Sequence, residues 1–239
     1  MSAFTARFIG SGDAFGSGGR LQTCILVDAP GVRFAIDFGA TSLAGLRKQG
    51  IDPNTIDAIL LTHLHGDHCA GVPFLLLDAM LGAKRASPLT IIGPRDIQQL
   101  QATLFPGSSA MQPSFDLAYT EISPDTAATL SDPTITAIDA RHTSQTNPLA
   151  LRIDFGGKTM AFTGDGELTQ KLIDFVAGVD LLVAECYFYS KSVKWHMNYP
   201  DISKLSAGNI VLTHMSEDML AHVDDVPETC AFDGCVIEF

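Results

Sequence analysis

The sequence predicts an α/β fold of two β-sheets covered on their outer faces by helices. Strand-like runs dominate both halves of the chain, and helical runs interrupt them without forming a block of their own. Residues capable of chemistry also recur directly after the most apolar strands, where an α/β scaffold opens its crevice.

In chain order, residues 4–9, 21–27 and 32–36 are rich in β-formers and joined by Gly-rich or Pro-Gly turns, which predicts an antiparallel meander. The period then changes. Residues 41–49 predict a helix with Thr41 as N-cap and Gly50 just past its end, and 57–62 an apolar strand after a Pro-Asn turn. Helices are predicted over 71–82 and 96–105, with a short strand over 89–92 between them. Strands over 134–140, 149–155 and 159–163 follow, the last two joined by a Gly156-Gly157 hairpin turn. The remaining expectations are a helix over 167–176, strands over 181–184 and 210–213, a short helix over 201–206, and a last strand over 235–239.

The chain has 239 residues, 46% hydrophobic and 18% charged, enough to bury a substantial core and expected to form one domain over 1–239. No apolar run approaches the ~20 residues a membrane span needs, and the first residues lack a basic lead and a long apolar stretch, so a cytoplasmic location without membrane association is expected. The formal charge of −12 repels polyanions, and a pair such as Lys84-Arg85 is too small to make a basic cluster. Large nucleic acids are therefore poor partners. Five cysteines without a CxxC pair suit a reducing compartment, and Cys69 alone is ambiguous because it follows a cluster of metal-ligand residue types.

That cluster is His63-Leu64-His65-Gly66-Asp67-His68, directly after the apolar strand. Three imidazoles and a carboxylate in six residues form a costly core unless each is bound to something. A pair of divalent metal ions would satisfy all four; the plainer alternative is a polar surface loop. His142, Asp165, Glu185 and His214 each follow an apolar strand in the same way. Singly each is weak, and together they predict a site. His222 has no such context and reads as an ordinary surface or helix residue. The glycine-rich segment 10–19 lacks the GxxxxGK[ST] order and precedes a strand, so it is not a nucleotide loop; its glycines let the backbone pass near the metals, and Arg20 is a candidate phosphate contact.

The HxHxDH run, with His142, Thr163-Gly164-Asp165-Gly166 and Leu212-Thr213-His214 in order after it, resembles the metallo-β-lactamase superfamily. Gly10-Ser11-Gly12-Asp13-Ala14-Phe15, Gly18-Gly19-Arg20 and the stretch from Gly71-Val72-Pro73-Phe74 to Ile92-Gly93-Pro94 narrow this to its ribonuclease Z-like phosphodiesterase branch. The resemblance implies a four-layer αββα sandwich with metals at one edge. It assigns His63, His65 and His142 to one ion and Asp67, His68 and His214 to the other, with Asp165 as the bridge. Two divalent ions per chain are implied, zinc first, which suits neutral imidazole ligands, with manganese or iron as alternatives.

In ribonuclease Z-like enzymes a Glu in a His-Glu-Ala-Thr motif orients a downstream His that protonates the leaving oxygen. Here only the Glu of that motif remains, in Ala184-Glu185-Cys186-Tyr187, with His196 following in Lys194-Trp195-His196-Met197. The resemblance thus marks Glu185 as orienter and His196 as general acid, and Asp67 counts with them as catalytic as well as metal-binding. The plainer reading of His196 is a half-buried ring beside Trp195. Bacterial tRNA-processing ribonuclease Z carries a long tRNA-binding arm between the ligands matching His142 and Asp165. This chain spans that interval in 23 residues, filled by two strands and a turn. The expectation is a dinuclear phosphodiesterase in which a metal-bridging hydroxide attacks a small or cyclic phosphodiester. Hydrolysis of a lactone, thioester or β-lactam on the same centre is the first rival, tRNA 3′ processing the second, and a non-catalytic metal-binding scaffold the last. A homodimer is implied by the resemblance alone.

Overall fold

The structure is a computed structural model and describes residues 4–99, 103–104, 112–124 and 126–239. Its first sheet contains β1 (Thr5–Gly10), β2 (Cys24–Ala29), β3 (Val32–Ile36), β4 (Ala58–Leu60), β5 (Leu89–Gly93) and β6 (Leu117–Glu121). The second contains β7 (Ala128–Thr129), β8 (Thr134–Asp139), β9 (Leu149–Asp154), β10 (Thr159–Phe162), β11 (Leu181–Glu185), β12 (Asn209–Thr213) and β13 (Thr229–Cys230). The last strand, β14 (Val236–Glu238), returns to the first sheet and pairs antiparallel with β1. Strand orders are β14-β1-β2-β3-β4-β5-β6 and β13-β12-β11-β10-β9-β8-β7.

Alternation along the strands builds the layers. Phe8, Ile25, Val27, Phe34 and Ile36 of the first sheet meet Ile135, Leu151, Ile153, Phe162 and Val183 of the second in one buried cluster. Their neighbours in sequence face the other way. Ile9, Leu26, Ala35 and Ile59 pack under Leu46 of α1 (Ser42–Lys48) and under Leu75 and Leu76, which lie beyond the short α2 (Gly66–Cys69) on α3 (Val72–Leu77). On the far side, Ala161, Leu182, Ala184 and Leu212 pack under Leu172 and Val176 of α4 (Gln170–Val176), Ile202 of α5 (Tyr199–Ile202) and Met219 of α6 (Glu217–Leu220). Helix, sheet, sheet, helix is the predicted layering, and it is the metallo-β-lactamase fold.

The antiparallel meander over β1 to β3 is present. Three helices differ in extent. The first turn predicted at 167 starts at Gln170, because the Thr169 hydroxyl accepts the Leu172 N–H at 3.1 Å as an N-cap. The helix expected over 201–206 lies at Tyr199–Ile202, where Asn198 and Asp201 form a capping box with Pro200 in the first turn. Of the helix expected over 96–105, the described part includes a 3₁₀ turn at Ile97–Gln99; 100–102 and 105 lie outside the described residues. Sequence reasoning also missed β6, β7, β13 and α6. β7 and β13 are two residues long, and β6 is mostly exposed, so none has the apolar run that signals a strand.

Strands β3 to β6 run parallel to one another, as do β10 to β13. Their carboxyl ends therefore converge on one edge of the sandwich. There the sheets touch through main chain: Leu149 N–H donates to the Thr62 carbonyl at 2.9 Å, Leu64 N–H to Thr146 at 3.3 Å, and His214 N–H to Ser11 at 3.1 Å. The approach is close enough to demand glycine at 164, where φ is +58° and a Cβ would lie 2.7 Å from the Leu149 carbonyl oxygen. Among the described residues no helix is long and apolar enough to cross a membrane.

Candidate active site

Each predicted donor sits where a strand ends. His63 and His65 follow β4, and Asp67 and His68 lie in the one-turn helix α2 whose N-cap is His65. His142 follows β8, Asp165 follows β10, Glu185 is the last residue of β11, and His214 follows β12 in a left-handed conformation with φ of +56°. The chain's connections bring all of them to the converging edge.

Two donor sets form. Three ring nitrogens meet in the first: His63 Nε2 lies 3.0 Å and His142 Nε2 3.2 Å from His65 Nδ1. In the second, the Nε2 atoms of His68 and His214 are each 3.3 Å from Asp67 Oδ2 and 3.4 Å from Asp165 Oδ2. Within each set the donor atoms lie within 4.8 Å of one another. His68 Nε2 and Asp165 Oδ1 are buried without a hydrogen-bond partner among the described residues. Buried atoms of this kind are costly when left alone, and converging imidazole and carboxylate donors fit a divalent cation. Asp165 groups with the second set, and again with Glu185, His196 and His214 in a third group of donors.

The rings are aimed from behind. His63 Nδ1–H donates to the Thr62 hydroxyl at 3.0 Å, which itself donates to Asp37 at 2.8 Å. His68 Nδ1–H donates to Asp37 Oδ2 at 2.7 Å, and His142 Nδ1–H to the Trp195 carbonyl at 2.9 Å. Each bond turns the ring's other nitrogen toward the site and fixes its tautomer. Asp37 was missed by the sequence reading, although it obeys the rule that found the others: a carboxylate directly after the apolar strand β3.

Charge is divided between the sets. Burial lowers the pKa of His63, His65 and His142, helped by neighbouring imidazoles, so the first set is neutral. Burial also opposes a charge on His68, but Asp165 and Asp37 outweigh it and raise that ring well above its ordinary value. His214 is likewise raised, to about 9, by Asp165 and Asp67 against burial. Burial alone would raise Asp67; the hydrogen bond from His214 and the neighbouring His68 imidazole hold it far below the usual carboxylate range instead.

Glu185 and His196 are in contact, Oε1 to Nδ1. Glu185 is fully buried, and burial followed by the nearby Asp165 raises its pKa; burial lowers that of His196, but the bond to Glu185 wins and raises it. Tyr187 stacks on the His196 ring, centroids 4.6 Å apart. Residues 187–198 are pinned by Tyr187 N–H to Met197 O at 3.0 Å and by Trp195 N–H to Glu167 Oε1 at 2.9 Å. A cavity of about 160 Å³, walled by His65, Asp67, His142, Asp165, His196 and His214 with Ala14 and Phe15 at one side, joins both donor sets to His196.

Two expectations need amending. Arg20 does not line this cavity; its guanidinium turns to the Ala231 carbonyl and to Ser11 Oγ, so it braces the glycine-rich loop. Cys69, left ambiguous by the sequence, is buried in the apolar layer outside the first sheet and is in neither donor set. His222 lies away from both sets, paired with Asp225 at 2.7 Å.

The comparisons with known proteins agree with this architecture. A ribonuclease Z from Lachnoclostridium phytofermentans is 33% identical over 125 residues, which is 52% of this chain and 40% of that protein, so the chain matches less than half the length of that relative. The probable metallo-hydrolase YhfI of Bacillus subtilis is 29% identical over 191 residues, 75% of this chain and 74% of that one; its crystal structure superposes with a TM-score of 0.82 at 24% identity over the full length of both chains. The short form of human tRNase Z shares the fold at a TM-score of 0.80 and 21% identity, covering 98% of each chain. The family model described as "Anti-Pycsar protein Apyc1" matches residues 4–231. With its αββα sandwich, its converging His and Asp donors and these likenesses, the chain has the metallo-β-lactamase fold, and it belongs to the family described as anti-Pycsar protein Apyc1.

Proposed function

We propose that residues 1–239 act as one hydrolase domain, a phosphodiesterase for a small or cyclic phosphodiester. The observation that carries this is the Glu185–His196 pair facing both donor sets across one small cavity. In this reading His63, His65 and His142 would hold one divalent ion, zinc by ligand preference, and Asp67, His68 and His214 a second, with Asp165 serving as the shared carboxylate. Such a pair, when bound, supplies Lewis acidity to the phosphoryl oxygens and an activated water. The chain's residues do the rest. Thr62, Asp37 and the Trp195 carbonyl fix the ring orientations, and Glu185 keeps His196 protonated and directed at the departing ester oxygen. An alkoxide leaving group gains most from such a donor, which favours a phosphate ester over a substrate with a stable leaving group.

The small size of the substrate rests on different observations. The cavity of about 160 Å³ is where the phosphoryl group itself would sit. The interval from His142 to Asp165 is occupied by the turn Ser144–Thr146, β9 and β10. A net charge of −12 opposes a long polyanion. The name ribonuclease Z carried by the relatives points to phosphodiester bonds; charge and the short interval argue against RNA as the substrate here.

The test is an assay of the metal-loaded protein on a nucleoside 3′,5′-cyclic phosphate, bis(p-nitrophenyl) phosphate, a pre-tRNA with a 3′ trailer, a lactone and a thioester. Faster turnover of the small phosphodiesters than of all others is expected. Accurate pre-tRNA cleavage by this chain alone, or preference for the lactone or thioester, would overturn the reading.

A further inference from the structure

Whatever reacts in a cavity of about 160 Å³ leaves most of its bulk outside, so the rest of the substrate must occupy a neighbouring recess. Among the described residues, recesses on two sides share a wall with the cavity. The one behind His196, about 460 Å³, is lined by Arg141, Glu167, Lys194 and Asp201, and its charges are already engaged: Arg141 pairs with Glu167 at 3.2 Å, and Asp201 with Lys204 at 2.9 Å. Occupying it would strip water from charged groups for little apolar gain.

The other begins at His142 and measures about 420 Å³, within the range of pockets that hold small organic ligands. Its floor is apolar, with Ile122 and Leu149 almost fully buried and Pro148 beside them. Its rim is polar and preset. Arg95 Nη2 donates to Asn147 Oδ1 at 3.3 Å, and Asn147 Nδ2 donates back to the Arg95 carbonyl at 3.2 Å, latching the loop after β5 to the Ser144–Thr146 turn. Asn147 is held in a left-handed conformation, φ +48°. The Arg95 side chain is 75% exposed at the rim, with its Nε 3.7 Å from Asp96 Oδ2.

We propose that this cleft is the subsite for an aromatic substituent of the diester, held between the Ile122–Leu149 floor and the face of the Arg95 guanidinium. A flat ring gains from both surfaces: area removed from water below, and cation–π stacking above. Arg95 is thus a specificity-determining residue, since a lysine ammonium in its place offers no plane to stack on. This rests on the phosphodiesterase reading, and the two can fail separately.

The test compares a nucleoside 3′,5′-cyclic phosphate with ribose 3′,5′-cyclic phosphate, which lacks the ring. Arg95→Ala and Arg95→Lys should each lower the ratio of kcat/KM for the first substrate over the second about tenfold, mainly through KM. Ser144→Trp, which fills the cleft from its exposed edge, should lower the same ratio without touching Arg95. Independently of turnover, free adenosine added to the labelled protein should shift the amide signals of Arg95, Ser123, Asn147 and Leu149. Shifts confined to Ala14 and Phe15 would place the ring on the opposite side of the cavity and overturn the proposal, as would an unchanged substrate ratio in all three variants. Hydrolysis of neither cyclic phosphate would instead sink the phosphodiesterase reading itself.

Discussion

Glu185 divides its carboxylate between His196 and the backbone around it: Oε1 meets His196 Nδ1, while Oε2 accepts the N–H groups of Gly166 at 2.9 Å and Met197 at 3.4 Å. One buried side chain therefore sets the ring's tautomer and ties its loop to the turn after Asp165. If His196 delivers a proton, His196→Ala should lower kcat by roughly 10²- to 10⁴-fold with metal content unchanged. The loss should be larger for an alkyl diester than for a nitrophenyl one, whose phenolate departs with little help. Glu185→Gln should give a smaller defect of the same kind. Equal losses for both leaving groups, with metal retained, would make His196 a structural residue.

Asp37 aims His68 and, through Thr62, His63. Asp37→Asn replaces the acceptor facing His68 Nδ1 with a group that can present an amide donor, so divalent metal affinity should fall about 10- to 100-fold. Competition with a chromophoric chelator measures this. Unchanged affinity would show that packing alone orients the rings.

Stoichiometry tests the division of donors. Elemental analysis after saturation and desalting should find about two divalent ions per chain. Asp165→Ala should weaken binding of both ions if Asp165 stands between them, and of one alone if it serves only the set with Asp67, His68 and His214. A wild-type value of one or less would remove the dinuclear centre.

Away from the site, the Asp180 carboxyl lies below its ordinary value, held there first by the Thr159 N–H at 2.8 Å, then by Lys158 and the Thr159 hydroxyl. A carboxyl depressed in the folded state stabilises the protein above its unfolded pKa, and this stability is lost as pH falls through the folded value. Asp180→Asn should therefore lower Tm at neutral pH, and the gap to wild type should close below about pH 4. A gap independent of pH would mean that the amide loses only hydrogen-bond geometry.

The parts of the molecule that could be read in advance are those where one local signal suffices. Strands such as β3 and β11 announce themselves because alternate residues face the inter-sheet core and a helix layer, so nearly every position is apolar. Donors were legible for a related reason: ionisable side chains are conspicuous straight after such runs. Asp37 obeys the same rule and was still overlooked, because its part is to aim another ring and depends on His68, 31 positions away. The cleft at His142 was illegible on the same ground. Arg95 and Asn147 are 52 positions apart and meet only once the two sheets are packed. The helix starts at Gln170 and Tyr199 were misjudged where a cap, and not the apolar period, decides the first turn.

The main-chain bonds across the sandwich edge, Leu149 to Thr62, Leu64 to Thr146 and His214 to Ser11, run through atoms that every residue type except proline supplies in full. The frame that carries the donors is in this respect indifferent to which side chains hang on it. Loops around the rim can be exchanged, lengthened or recharged while these three anchors keep the strand ends in register. A scaffold fastened in this way can diverge to 24% identity with YhfI and 21% with human tRNase Z and still superpose along its length, leaving substrate choice to the rim.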